Sequence, residues 1–306
     1  MPEAPGRSLP RVLDLAARSA FHVARLEPVP GWYFGQWDRN DPRAWIRRSI
    51  WRLAHSRGYD GPVTTDWYSG LRFQHHLTGD ISQCTYVDGR YEPNEMYAMS
   101  GLLKAGMTMI DVGANAGIFT LMAAALVGPS GAVHSFEPSP RDLERLRANV
   151  NLNHLANVAV HGEALGRRTA KAMLTVSAAA RPGHNTMGDL PYEDDAGAGS
   201  VEVNVTTLDD FARTAGLTQM DLLKIDVEGS ETAVIEGGRE SLRKFRPAIV
   251  LEANEAALRK LGSSVTEMLR LVRELGYAVN VFGPSGRPEP VGGDRLSGEN
   301  LLCLPA

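Results

Sequence analysis

From Met107 onward the sequence keeps one rhythm: a short apolar run, a small or acidic residue, a helix with one apolar face, then the next run. That rhythm limits the possible folds more than any other feature of the chain. Parallel strands need a crossover of a dozen or more residues, so repeated strand–helix units give a mostly parallel sheet with helices on both faces. Five core strands are expected at 107–112, 133–136, 158–161, 222–226 and 248–252, and 278–282 and 300–304 close a seven-stranded sheet. The helices between them carry end signals. Residues 118–127 are followed by Gly128, suited to the position after a helix end. Ser139-Pro140 opens the next helix, with Asp142 in its first turn and Leu143, Leu146 and Val150 on one face. Ser264 and Glu267 form a capping box. Residues 171–176 and 201–206 read as strands that interrupt the alternation, and the loop between them is rich in Gly, Ala and Asp. Such a long loop in a compact domain is often functional.

In sheets of this kind ligands bind in the crevice beyond the carboxyl ends of the strands. That rule selects Asp111, Glu137, Glu163, Asp226 and Glu252, each at or just past an expected strand end. The first strand runs into Asp111-Val-Gly113-Ala-Asn115-Ala-Gly117. Its glycines permit a tight turn and close ligand approach, and a helix N-terminus follows. A dinucleotide site wants G-x-G-x-x-G at this place, and the turn lacks that spacing. Asp111 ill suits a pyrophosphate but suits a cationic sulfonium or ammonium. Glu137, at the end of the second strand, is placed to accept both hydroxyls of a ribose. NAD shares that last feature, so an NAD-dependent oxidoreductase stays open as an alternative at this point.

The run 111–120, DVGANAGIFT, with Phe136-Glu137-Pro138-Ser139, resembles the FkbM-type methyltransferases. So do Leu208-Asp209-Asp210-Phe211, the block LKIDVEGSE at 223–231, and Tyr91-Glu92-Pro93-Asn94-Glu95 ahead of the first strand. The resemblance spans about residues 86–283. It implies a Rossmann-like class I methyltransferase fold and S-adenosylmethionine as methyl donor. The acceptor it implies is a hydroxyl of a sugar, glycan or secondary metabolite. Carried onto this chain, Asp111, Gly113, Asn115 and Gly117 would line the methionine part of the cofactor, with Glu95 nearby. Glu137 would hold the ribose, and Glu163 and Ala164 would flank the adenine. Residues 86–306 would form the catalytic domain. Residues 1–85 would be an α/β extension covering the acceptor site.

An aliphatic hydroxyl is a poor nucleophile, so its proton needs a base or a metal. Asp226 and Glu228, at the end of the fourth strand, are the candidate catalytic bases. Lys224 shares a strand face with Asp226 at period two, so it can pair with a carboxylate. A purely structural reading is also open: Lys224–Asp226 as a buried ion pair, and Glu228 and Glu231 as helix first-turn carboxylates. Asp226 and Glu252 offer oxygen ligands to a hard divalent cation, but no tight ligand cluster is visible, so a metal is not favoured. His184 lies in the long loop within reach of an acceptor. A protein that keeps the cofactor pocket without turnover is a further alternative.

The formal net charge of −4 over 306 residues gives no footprint for nucleic acid or anionic membrane. Arg43, Arg47, Arg48 and Arg52 read as one solvated helix face within an expected helix at 42–56, capped by Asp41. All five tryptophans precede residue 70, which suggests a packed cover. Asp14, Arg18 and His22 break the apolar stretch near the start, and no window is long and apolar enough to span a bilayer, so a cytoplasmic protein is expected. Cys84 and Cys303 form neither a disulfide framework nor a zinc pattern.

Overall fold

The structure, a computed structural model, describes residues 16, 42–59, 61–79, 81–178, 183–188, 197–283, 287–291 and 299–306. Trp32, Trp37, the Asp41 cap and part of the long loop lie outside these. From residue 42 the described chain forms helix α1 (Pro42–Ser56) and a hairpin of β1 (Pro62–Asp66) and β2 (Arg72–His76). A π-helical turn (Gln83–Asp88) leads to α2 (Pro93–Leu102). The alternating part follows: β3 (Thr108–Val112), α3 (Ile118–Val127), β4 (Ala132–Phe136), α4 (Pro140–Leu152) and β5 (Val158–His161). Then come β6 (Ala164–Leu165), β7 (Ala170–Ser177), β8 (Gly197–Thr206), α5 (Leu208–Thr214) and β9 (Leu222–Ile225). The chain finishes with α6 (Glu231–Glu236), α7 (Arg239–Phe245), β10 (Ala248–Ala253), α8 (Glu255–Lys260), α9 (Val265–Glu274), β11 (Tyr277–Phe282), β12 (Pro288–Pro290) and β13 (Glu299–Pro305).

The main sheet has the order β12-β11-β13-β10-β9-β3-β4-β5. β5, β4, β3, β9 and β10 are mutually parallel, and β13 runs antiparallel between β10 and β11. These are the seven strands expected, in the class I methyltransferase arrangement, plus the three-residue edge strand β12. The order reverses between β3 and β9. That is the topological switch point where a ligand crevice opens. The two interrupting strands, β7 and β8, leave the main sheet and form a second one with β6.

Strand residues alternate between two cores. Ile110, Val112, Leu223, Ile225, Ile249 and Leu251 pack on one face with Met268, Leu269 and Val272 of α9. Met109, Leu222 and Val250 pack on the other with Leu121 and Met122 of α3 and Leu146 of α4. Strand period two therefore assigns Asp111, Lys224 and Glu252 to the α3 face. In register, Asp111 pairs with Lys224, and Lys224 with Val250. Three charged groups thus reach the same end of the same face.

The N-terminal segment docks on α4. Asn149 and Asn153 accept the backbone N–H groups of Gln74 (2.8 Å) and Arg72 (2.7 Å), and Asn153 donates back to the Arg72 carbonyl. An edge strand is thereby covered rather than left open. The arginine face of α1 is not wholly solvated, contrary to expectation. Arg47 is buried, and its Nε donates to the Val87 carbonyl at 2.5 Å. Cys84 and Cys303 are both buried and are not joined in a disulfide. Among the described residues no helix is long and apolar enough to cross a membrane.

Candidate active site

A cavity of about 930 Å³ opens at the switch point. Its floor is the turn after β3. Gly113 has φ 82°, and a Cβ there would fall 1.8 Å from the Asp226 carbonyl oxygen. Only glycine lets the β3 and β9 ends approach so closely. The Gly113 and Ala114 N–H groups both donate to the Phe136 carbonyl, tying the turn to β4. Asn115 takes φ 49° and lines the cavity. Gly117 lies behind the lining. It begins α3 at φ 93°, where a Cβ would strike Leu146 Cδ1 at 2.6 Å.

Glu137 stands at the end of β4, 4% exposed and facing the cavity. Oε2 accepts the Asn115 N–H and Oε1 the Ser139 N–H, each at 2.9 Å. Burial, then the nearby Asp142 carboxylate, push its pKa up to about 8 against those two bonds. Each oxygen keeps a lone pair for a further donor. Ser139 does not cap its helix through a backbone N–H, as its type suggested. Its hydroxyl donates to Asp142, which also holds Arg141 and Asn185. Ala164 lines the cavity, whereas Glu163 beside it is half-buried and does not.

Asp111 is also behind the wall. It is buried, and Oδ2 accepts the Thr120 hydroxyl at 2.6 Å. Burial raises its pKa, partly opposed by Lys224. Asp111 can reach the cavity through its field, not by contact. Lys224 is 3% exposed. Its Nζ lies 2.7 Å from Asp226 Oδ2 and 4.6 Å from the Phe119 ring centroid. Burial works to lower its pKa, but Asp226, Glu92 and Asp111 outweigh that and hold the ammonium charged. Asp226 keeps 26% of its side chain exposed and lines the cavity.

The turn after β9 carries Glu228 at φ 50°, also on the cavity wall. Glu231 staples that turn by accepting the Val227 and Gly229 N–H groups at 3.0 and 3.1 Å. Residues 183–187 line the cavity. Thr186 exchanges backbone bonds with Thr175 of β7, and its hydroxyl donates to the Glu228 carbonyl at 2.9 Å. Asn185 donates to Asp142 at 2.7 Å. His184 is thereby held against the cavity.

The far corner comes from the lead-in before β3 and from the β10 and β13 ends. Glu92 precedes α2 at φ 44°, and Glu95 lies in its first turn. Glu95 Oε1 accepts Asn300 Nδ2 at 3.1 Å, and Asn300 faces Glu252 in the β10–β13 register. Burial raises Glu252 well above the ordinary carboxylate range, helped by Glu228 and Asp226. Burial, then Glu95, push Glu92 up to about 8. The sequence alone does not mark Glu92 or Asn300 as site residues. Asn300 has no local signal, because its place depends on pairing with Glu252, 48 residues earlier in the chain. Glu92 had one: it precedes a proline that opens a helix. Among the described residues no group of His, Cys, Asp and Glu is arranged to hold a metal ion.

Of the expected site residues, the cavity unites Glu95, Gly113, Asn115, Glu137, Ala164, Asp226 and Glu228, while Asp111, Gly117 and Glu163 stand behind or beside it. Several known proteins are similar to this chain. A 31-O-demethyl-FK506 methyltransferase FkbM of Streptomyces tacrolimicus is 32% identical over 201 residues, 58% of this chain and 75% of that protein. A 2-O-methyltransferase NoeI of Sinorhizobium fredii is 31% identical over 165 residues, 48% of this chain and 64% of that protein. The crystal structure of a methyltransferase FkbM from Methylobacillus flagellatus superposes with a TM-score of 0.43 at 17% identity, covering 74% of this chain and 53% of that one. The sequence profile described as the Methyltransferase FkbM domain matches residues 111–279, more than half of the chain, and the chain belongs to that family.

Proposed function

We propose that this chain is an S-adenosylmethionine-dependent O-methyltransferase acting on a hydroxyl of a sugar, glycan or secondary metabolite. One observation carries the cofactor reading: Glu137 faces the cavity with both oxygens pinned by backbone N–H groups. A carboxylate fixed in this way is preorganised for a pair of neutral hydroxyl donors such as a ribose diol. Ala164 would then flank the adenine. Gly113 and Asn115 would line the methionine part, with Glu95 near its ammonium, and Asp111 would add negative field from behind. The donor supplies an electrophilic methyl group when bound. The chain's own task is to hold an acceptor oxygen in line and to take its proton. Asp226 and Glu228 are the groups for that proton. Lys224 keeps Asp226 oriented, and the Thr186 hydroxyl holds the Glu228 turn. The names of the two relatives both place the methyl group on oxygen.

Calorimetry with S-adenosylhomocysteine tests this reading. Saturable binding is expected, weakened about 100-fold by Glu137→Ala, the scale of two hydrogen bonds to a charged group. A folded protein that binds no S-adenosylhomocysteine would overturn it.

A further inference from the structure

The carboxylates of the far corner are more than the donor needs. Glu92 and Glu252 both line the cavity, and each has a buried Oε2 with no hydrogen-bond partner. A buried polar oxygen left unanswered is costly. The two interact electrostatically with each other and with Asp226. Among the described residues Lys224 is the one Lys or Arg on the cavity wall, and it is already bonded to Asp226. Glu252 ends β10 and Glu137 follows β4, with β9 and β3 between them. Three strand spacings put the two ends about 14 Å apart. The corner therefore lies away from the nucleoside, and of its carboxylates Glu95 alone is assigned to the donor. Tyr91 and Phe282 line the cavity too, and aromatic faces beside carboxylates favour an organic cation.

We infer that the acceptor is an amine-bearing hydroxyl compound whose ammonium group seats against Glu92 and Glu252. This deepens the methyltransferase reading and rests on it. The ammonium N–H groups answer both orphaned oxygens. The carboxylates then repel anionic acceptors, which gives specificity by rejection as well as attraction. Burial currently lifts the pKa of both carboxylates, so an arriving cation lowers them and expels protons.

The test uses the full chain saturated with S-adenosylhomocysteine, so the donor's own ammonium is already in place. Glucosamine, glucose and glucuronate, three matched pyranoses, are titrated and followed by saturation-transfer NMR. Glucosamine is expected to bind about tenfold or more tightly than glucose, the scale of one charge-assisted hydrogen bond, and glucuronate weakest. Calorimetry in buffers of different ionisation enthalpy should show proton release with glucosamine alone. Glu252→Gln and Glu92→Gln should each erase the preference while S-adenosylhomocysteine affinity persists. Equal binding of the three sugars, binding of none, or tighter binding of glucuronate overturns the inference. So does magnesium chloride at millimolar concentration reproducing the proton release, which would assign the corner to a metal. If S-adenosylhomocysteine itself fails to bind, the donor reading falls. The same sugar series on the free protein then decides the corner separately.

Discussion

The two ends of the cavity treat their carboxylates in opposite ways. At the β4 end both oxygens of Glu137 are satisfied by backbone N–H groups of rigid turns. At the β10 end Glu92 and Glu252 each keep a buried oxygen with no partner. The first arrangement is complete before any ligand arrives and suits neutral hydroxyls. The second is incomplete and gains most from an incoming cation. The difference teaches where binding energy is available: in the proposed reaction the first end would fix geometry, and the second would discriminate between acceptors.

Asp226 stands between these ends, and replacing it should have the largest effect. Asp226→Asn is expected to cut methyl transfer by about 10²- to 10⁴-fold, the range of a lost general base, while S-adenosylhomocysteine affinity holds. Single-turnover kinetics with a labelled donor reads the first quantity and calorimetry the second. Undiminished turnover would move the proton-accepting role to Glu228. A joint loss of turnover and affinity would mean that Asp226 belongs to the donor end.

Gly113→Ala comes next. Its methyl group would lie 1.8 Å from the Asp226 carbonyl oxygen at φ 82°, so the β3 and β9 ends must part. Urea unfolding should show a loss of about 4 kcal/mol, the scale of a combined steric and backbone fault. A loss under about 1 kcal/mol would mean the switch point is more pliant than its contacts imply.

The contrast between the ends is also a contrast in legibility. Glu137 was readable because a strand end, a Gly turn and a Ser-Pro helix start are all local signals. So were α1 at Pro42–Ser56, α3 at Ile118–Val127 and β5 at Val158–His161, which lie where periodicity and caps placed them. The far corner was not readable, because its parts meet only through long-range pairing. Asn300 reaches Glu95 across 205 residues, and Glu252 meets Asn300 through an antiparallel register. Arg47 looked like part of a solvated face but is drawn inward by a carbonyl 40 residues away. Asn149 and Asn153 look like helix surface, yet they hold the edge of β2. Likewise β7 and β8 were expected as strands, but nothing local shows that the two-residue β6 joins them in a separate sheet.

The smallest effect, and the most direct measure of the contrast, is the pH dependence of stability in the ligand-free chain. Burial raises Glu92 and Glu137 to about 8, Glu231 to about 7, and Glu252 well above 4.5. The folded chain therefore keeps protons that the unfolded chain sheds near 4.5, and each such group loses stability as pH rises toward its folded pKa. Burial acts the other way on His75, lowered to about 3, and on His161, lowered to about 4, which add stability as pH rises to about 6.5. Above that pH the histidines are neutral in both states, and only the carboxylates remain. Stability should therefore fall from pH 6.5 to 8 by about 1 kcal/mol per pH unit for each carboxylate still protonated. Glu252→Gln should flatten the slope and raise stability at pH 8, because its orphaned oxygen has no compensating donor. Saturating S-adenosylhomocysteine should remove the share of Glu137, whose charged form gains hydroxyl partners, and leave the share of Glu252. Denaturant titrations at four pH values separate these contributions. A flat or rising profile from 6.5 to 8 would show that both ends carry ionised, solvated carboxylates, and the contrast between them would vanish.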